Sequence, residues 1–283
     1  MREMRTMHPL EENIDAELDS LLEDIFRVYH HDFRHYVRTS LSRRVEQARS
    51  ALGYTSLAAL RLQLRNDPRV FAGLLGFLTI QVSDMFRDPS FWRALRERVI
   101  PHLATYPSLR VWVAGCATGE EAYSMAILLA EEGLLDRTQI YATDIDAASL
   151  DEGRAGSYDL ARVSSFSQSY FEAGGKGSLS EHYITTASCT VFVPRLRERI
   201  LFSDHSLATD SAFAEVQLIC CRNVLIYFER ALQDHALSLF VEALCQRGFL
   251  GLGDKETIMF TSSADALEPF VAEEKIFRKR GLP

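Results

Sequence analysis

The sequence of 283 residues predicts a doubly wound α/β sheet of about six or seven strands preceded by an all-helical unit. Three observations carry that prediction. Leu109 to Ala126, LRVWVAGCATGEEAYSMA, passes from a short apolar, β-branched run through a glycine turn, Gly115 to Gly119, into an amphipathic segment headed by Glu120 and Glu121. Gln139 to Asp146, QIYATDID, is a second short strand, about one βαβ unit further along. Helix start and stop signals recur through the first hundred residues.

No apolar run approaches a membrane span, and the first residues, with Arg2, Glu3, Arg5, Glu11 and Glu12, hold no signal-peptide core. A soluble, cytoplasmic protein without membrane insertion is therefore expected. The 47% of hydrophobic residues suffices for a full core. The cysteines, Cys116, Cys189, Cys220, Cys221 and Cys245, are odd in number and lack metal-ligand spacing, so buried free thiols, a reducing compartment and no metal are expected.

Helices follow one another from residue 13 to about 75. Gly53 closes one, Thr55 or Ser56 caps the next, Asp67 with Pro68 opens a third, and Asp88 with Pro89 opens a fourth. The division expected is a helical domain over 13–80 and a sheet domain over 81–283. Net charge is −8, which argues against nonspecific nucleic-acid binding. Arg27 to Arg49 nonetheless holds six Arg against Asp32 and Glu46. Phe33, Val37, Leu41, Val45 and Ala48 form a helical stripe there, leaving Arg34, Arg38, Arg43 and Arg49 largely off it as an exposed basic face. Such a face is either simply solvated or steers towards an acidic partner.

Leu78 to Pro89, LTIQVSDMFRDP, sets polar Gln81, Ser83 and Arg87 in a hydrophobic context and reads as a lid over the carboxyl edge of the sheet. Past Asp146 come a short helix, Ala147 to Arg154, and a polar region, Ser157 to Ser180. Three β-like pieces, Tyr183 to Thr186, Thr190 to Val193 and Arg199 to Ser203, suggest a small antiparallel β-subdomain at about 180–203. Val216 to Cys220 reads as a buried parallel strand with Cys221, Arg222 and Asn223 at its carboxyl end. A helix over Arg230 to Cys245 and strands over Gly248 to Gly253 and Thr257 to Thr261 complete the alternation.

In open α/β sheets the crevice beyond the strand ends holds nucleotide-like ligands, and an acidic residue at Asp144 can accept from both ribose hydroxyls. The glycine spacing is not GxGxxG and no GxxxxGK[ST] occurs, so neither phosphate cradle is present. Glu121 behind the turn disfavours a diphosphate and suits a cationic or zwitterionic ligand such as S-adenosylmethionine. Glu120 and Glu121 also serve as plain complements to a helix dipole.

FRDPSFW, VWVAGCATGEEAYSMA, YATDID and CRNVLIYF, in this order and spacing, resemble the chemotaxis-receptor glutamate O-methyltransferases, the CheR family. The resemblance runs from near Ile14 to the GFLGLGDKE segment ending at Glu256. It implies a Rossmann-like S-adenosylmethionine-dependent methyltransferase sheet with an N-terminal all-helical domain and an antiparallel β-subdomain. Carried over, the cofactor contacts fall on Gln81, Ser83, Arg87, Glu121, Asp144, Ser206, Leu207, Arg222 and Asn223, beside the turn at Gly115. Gln81, Ser83 and Ser206 stand where Asn, Thr and Asn are usual in the family, each keeping hydrogen-bonding capacity. The implied reaction moves a methyl group to glutamates in the cytoplasmic helical bundle of a receptor and leaves S-adenosylhomocysteine. Arg87 and Tyr227 are then expected to orient the acceptor carboxylate, and Arg34, Arg38, Arg43 and Arg44 to dock the acidic bundle. A methyltransferase of another protein or small acid, and a non-catalytic S-adenosylmethionine-binding signalling module, remain as alternatives. DNA methylation is disfavoured, since no [DNS]PP[YF] motif occurs.

Overall fold

The computed structural model describes residues 9–79, 81, 83–186, 189–259 and 261–281, so Arg2, Glu3 and Arg5, and Ile80 and Val82 of the 78–89 segment, lie outside the described residues. Its contacts divide the chain into two units. One runs to residue 80 and includes Tyr227–Leu232; the other comprises Gln81–Ile226 and the chain from Gln233.

The first unit consists of α1 (Pro9–Tyr29), α2 (Arg38–Ala51), α3 (Leu57–Leu64) and α4 (Pro68–Leu78). Their punctuation follows the residues that the chain offers. The Ser56 hydroxyl accepts the Ala59 N–H, the Asp67 carboxylate accepts the Arg69 N–H, and Gly53 takes the left-handed conformation that closes α2. Leu18, Leu21, Leu22 and Ile25 of α1 and Phe71, Leu74, Leu75 and Leu78 of α4 are buried, each set at helical spacing. The exposed basic face expected on α2 is only partly present. The helix begins after Val37, so Phe33 and Val37 lie outside it, and Arg44 is buried with Leu41, Val45 and Ala48.

In the second unit, α5 (Pro89–Ala94) continues through a π turn (Leu95–Val99) into α6 (Ile100–Leu103) and leads to the sheet. The strands are β1 (Leu109–Ala114), β2 (Thr138–Asp144), β3 (Ser157–Asp159), β4 (Tyr183–Thr185), β5 (Cys189–Phe192), β6 (Ile200–Asp204), β7 (Val216–Cys221), β8 (Leu244–Leu252), β9 (Leu267–Val271) and β10 (Ile276–Lys279). The main sheet has seven strands in the order β6-β2-β1-β7-β8-β10-β9. Its first five are parallel, and β10 and β9 close it as an antiparallel hairpin. From β1 the chain turns first to β2 on one side and later to β7 on the other, which makes the end of β1 the switch point of the sheet. The connecting helices are α7 (Glu120–Glu131), α8 (Ala147–Ala155), α9 (Leu160–Glu172), α10 (Pro194–Arg197) and α11 (Arg230–Ala243). Helix α7 is buried from Ala122 through Leu129, as befits a helix apolar on nearly every side.

Three expectations are corrected here. The polar stretch from Ser157 contains β3 and then α9, which Asp159 caps and which buries Val163, Phe166 and Tyr170 between its serines. The small antiparallel sheet is β3-β5-β4, while the piece at Arg199 to Ser203 is β6, a parallel edge strand of the main sheet paired with β2. No strand forms among the described residues of Thr257 to Thr261; the closing strands come later, at β9 and β10. The five cysteines are thiols outside any disulfide, with Cys116, Cys220, Cys221 and Cys245 buried and Cys189 partly exposed.

Glu131, at the end of α7, ties α9 and the segment before β4 to the sheet. It pairs with Arg96 at 2.6 Å and accepts the Tyr170 hydroxyl and the Lys176 N–H, with His182 at 3.9 Å. Burial alone would raise its pKa, but hydrogen bonds from His182, Tyr170, Arg96 and the Lys176 backbone outweigh it and bring the value from 4.5 down to about 2. The folded state thus holds Glu131 ionised where the unfolded chain has begun to protonate it. Its stabilisation, on the order of 2 kcal/mol, is complete above pH 4.5 and is lost as pH falls towards 2. Glu131→Gln should lower the urea midpoint at pH 7 and flatten its decline below pH 4.5; an unaltered pH profile would refute this assignment.

Candidate functional site

The crevice at the switch point is built by the residues that follow β1, β2, β6 and β7. After β1 the chain makes a tight turn in which Gly115, Ala117 and Gly119 all have positive φ. The conformation and the space both demand glycine at the ends of this turn. A Cβ on Gly115 would stand 2.4 Å from Cγ2 of Val224, and one on Gly119 would meet the Phe202 ring at 3.0 Å. The turn is fastened to β2, since the N–H groups of Gly115 and Cys116 donate to the Thr143 carbonyl at 2.8 and 2.9 Å.

Asp144 ends β2. One of its oxygens accepts the Ala117 N–H at 2.9 Å and the other the Asp146 N–H at 3.1 Å. Burial raises its pKa, opposed by these backbone donors. A carboxylate has about four acceptor positions, so two remain for a pair of ligand hydroxyls. The loop after β6 starts beside it, with the His205 N–H on the Asp144 carbonyl at 3.2 Å, and carries half-buried Ser206 and buried Leu207.

Glu120 and Glu121, both at the front of α7, take different surroundings. Glu120 is fully buried, accepts the Thr118 hydroxyl at 2.7 Å and pairs with Arg162 at 2.8 Å, which is a structural arrangement. Glu121 pairs with Arg222 at 3.3 Å, and its pKa is raised by burial against the pull of that guanidinium. Arg222 itself is 1% exposed, donates to Asp88 at 2.7 Å and lies 4.2 Å above the Phe91 ring. Its Nε is buried without a partner among the described residues. Asn223, next in the chain, adopts φ +61°.

The 78–89 segment is pinned rather than free. Gln81 donates to Asp146, the Ser83 carbonyl accepts from Arg162 at 2.6 Å, and the Phe86 N–H donates to the Ser124 hydroxyl at 2.9 Å. Met85 and Phe86 are buried, which leaves Arg87 half-buried, close enough to Glu121 to lower its pKa and, among the described residues, in no ion pair. The unit therefore brings together Gly115, Glu121, Asp144, Arg222, Asn223 and the residues flanking them. Tyr227 makes its contacts in the helical unit, where its carbonyl accepts the Val37 N–H at 2.8 Å and its ring lies 4.7 Å below the Arg44 guanidinium.

The four arginines expected to dock an acidic partner differ from one another. Arg34 is held by Asp32 and Glu23, and Arg38 by Asp15 and Asp19. Arg44 is 6% exposed and donates to the Leu78 carbonyl at 2.7 Å, so it is a core residue whose stem and charge are both spent inside the unit. Arg43 alone of the four is exposed with no ion pair among the described residues. The spacing of residues along α2 could not reveal this, because Glu23, Asp15 and Asp19 come from α1, Asp32 from the segment before α2, and the carbonyl from the end of α4.

The donor set suits a ligand with vicinal hydroxyls and a cationic centre, and the carboxylates at the front of α7 oppose a phosphate. Among the described residues no group of His, Cys, Asp or Glu suits a metal ion, and no helix is long and apolar enough to cross a membrane. Glu256 is a site residue to which the sequence alone assigns no role. Its carboxylate lies under the turn after β7, and the surrounding Gly253-Asp254-Lys255 gives it the look of a solvated loop residue.

Comparison with known proteins agrees with this geometry. Residues 81–273 match the family model described as CheR methyltransferase, SAM binding domain, and residues 16–79 match the one described as CheR methyltransferase, all-alpha domain. The Pseudomonas putida protein Cher3 is 49% identical over 269 residues, covering 95% of this chain and 98% of that protein. A chemotaxis protein methyltransferase of Listeria monocytogenes is 30% identical over 81% of this chain and 85% of its own length. Chemotaxis protein methyltransferase 2 of Pseudomonas aeruginosa is 32% identical over 80% of this chain and 79% of its own.

Proposed function

This chain belongs to the CheR family of S-adenosylmethionine-binding methyltransferases, and from that premise we propose that it methylates glutamate side chains of a chemoreceptor's cytoplasmic helical bundle. The observation that carries the acceptor assignment is Arg87, a half-buried cation whose charge is felt at Glu121 and which makes no ion pair among the described residues. A carboxylate acceptor supplies the missing anion.

When bound, S-adenosylmethionine supplies an electrophilic methyl group on a sulfonium centre and leaves as S-adenosylhomocysteine. Asp144 would accept from the ribose hydroxyls, and Glu121 would hold the cationic end of the ligand. Arg222 keeps Glu121 in place. A glutamate is ionised at neutral pH, so the displacement needs no strong general base, and Asp144, Glu121 and Arg87 together serve to hold donor and acceptor in line. A contact from Arg87 that is too strong in the ground state would blunt the nucleophile, so its value lies in orientation. Tyr227, with its contacts in the helical unit, is assigned no step. The reading implies a cytoplasmic protein, which five thiols outside any disulfide suit.

The test is transfer of labelled methyl groups to a receptor signalling fragment. Alkali-labile label on glutamate is the expected result; S-adenosylmethionine binding with no label on any receptor fragment would overturn the acceptor assignment. On the same assay, Arg43→Glu should reduce receptor methylation about 2–5-fold at low salt, converging with the wild type at high salt, with cofactor affinity unchanged. Equal rates at all salt concentrations would remove α2 from substrate docking.

A further inference from the structure

We propose that Glu256 is a positioning residue for the cofactor, acting through Asn223; the proposal rests on the reading of Asn223 as a cofactor contact. Glu256 is 4% exposed and, among the described residues, makes no ion pair. Among the described residues its charge is met by backbone alone. One oxygen accepts the N–H groups of Val224 at 2.9 Å and Leu225 at 2.7 Å, and the other those of Asn223 at 3.0 Å and Gly253 at 2.6 Å. Three of these donors are consecutive, so the turn after β7 forms a backbone nest around an anion that the chain itself supplies.

The nest fixes a conformation that the turn would not choose unaided. Asn223 sits at φ +61°, a left-handed conformation that residues with a side chain adopt only where their surroundings hold it. With three successive N–H groups converging on one carboxylate, that conformation is enforced. Two glycines make room for it. A Cβ on Gly253 would stand 2.8 Å from the Asn223 nitrogen and 2.9 Å from Glu256 Oε2, and one on Gly115 would collide with Val224. The carboxylate therefore sets the place of Asn223 at the end of β7 and, through Val224, the close fit against the first glycine of the β1 turn. Burial raises the pKa of Glu256, and the four backbone donors oppose the rise and favour the ionised form.

Glu256→Gln keeps the shape but turns an amide N–H₂ towards two of the four donors. The experiment is calorimetric titration with S-adenosylmethionine and with S-adenosylhomocysteine of the wild type, Glu256→Gln, Asn223→Gly and the double variant, with melting temperatures of all four. Glycine tolerates the left-handed position, so Asn223→Gly removes the side chain while leaving the turn available. The expected result is a tenfold or greater loss of affinity for Glu256→Gln alone and less than a twofold further loss in the Asn223→Gly background, while its melting-temperature drop is the same in both. An equal affinity loss in both backgrounds, or none in the single variant, would overturn the proposal. Should Glu256→Gln fail to fold, Glu256→Asp, which keeps the charge one methylene short, is run through the same cycle and judged by the same two outcomes. Absence of cofactor binding by the wild type would instead refute the site reading itself.

Discussion

Asp144→Ala is expected to weaken S-adenosylmethionine binding about 100-fold or more, since each hydrogen bond to a charged acceptor contributes roughly 1.5–3 kcal/mol and the proposed site gives Asp144 two ligand hydroxyls to accept from. The loss has a second source. Without the carboxylate, the N–H groups of Ala117 and Asp146 lose their acceptor, and the turn between Gly115 and Gly119 loses a tie to β2. Asp144→Asn separates the two sources, because its single carbonyl oxygen still serves one backbone donor while its N–H₂ group opposes the other. An affinity between those of alanine variant and wild type is expected for it by calorimetry. Unchanged binding in Asp144→Ala would show that the adenosine moiety lies elsewhere.

Arg222→Ala should cost about 3–5 kcal/mol of folding stability by urea denaturation, the scale for breaking a buried ion pair from one side. The guanidinium is 1% exposed, and Glu121 would be left buried without its ion-pair partner. The Phe91 ring beneath it loses its cation as well. Arg222→Lys is not a remedy. A point charge on a flexible stem cannot span Asp88 and Glu121 while lying flat on Phe91, so less than half of the loss should be recovered. A cost below about 1 kcal/mol for Arg222→Ala would mean that the pair is solvated in solution and that Glu121 is held by other means.

What the sequence made legible is the part governed by short-range chemistry. The β1 turn, the strand ending at Asp144 and the strand ending before Arg222 and Asn223 all follow from short apolar-rich runs ended by glycine or by charge. Helix boundaries at Ser56 and Asp67 follow from caps, and the one at Pro89 from a proline in the first turn, Asp88 making no cap bond there. The misread parts depend on partners far away in sequence. Helix α9 carries its apolar residues among serines, so composition hid the spacing of Val163, Phe166 and Tyr170. Strand β6 is a short piece following β4 and β5 in the chain, and its pairing with β2 is what sets it apart from them. Arg44 lies one residue from an exposed arginine and is buried because the Leu78 carbonyl and the Tyr227 ring come to it from elsewhere. The role of Glu256 is hidden for the same reason, as three of its four donors lie 31 to 33 residues back in the chain.

The sulfur inventory described with the fold turns into a practical asset for watching this molecule at work. The thiols of Cys220 and Cys221 are sealed in the central strand and, like that of Cys116, are pushed well above their usual pKa by burial, so none of the three offers a reactive thiolate. Cys245 is buried too, and only Cys189, on the middle strand of the small antiparallel sheet, is partly open to solvent. A thiol-directed fluorophore added to the native protein thus has one preferred point of attachment. That point lies on the small sheet rather than on the main-sheet strand ends that form the crevice, and allows encounters on this appendage to be followed in the wild-type chain without cysteine engineering.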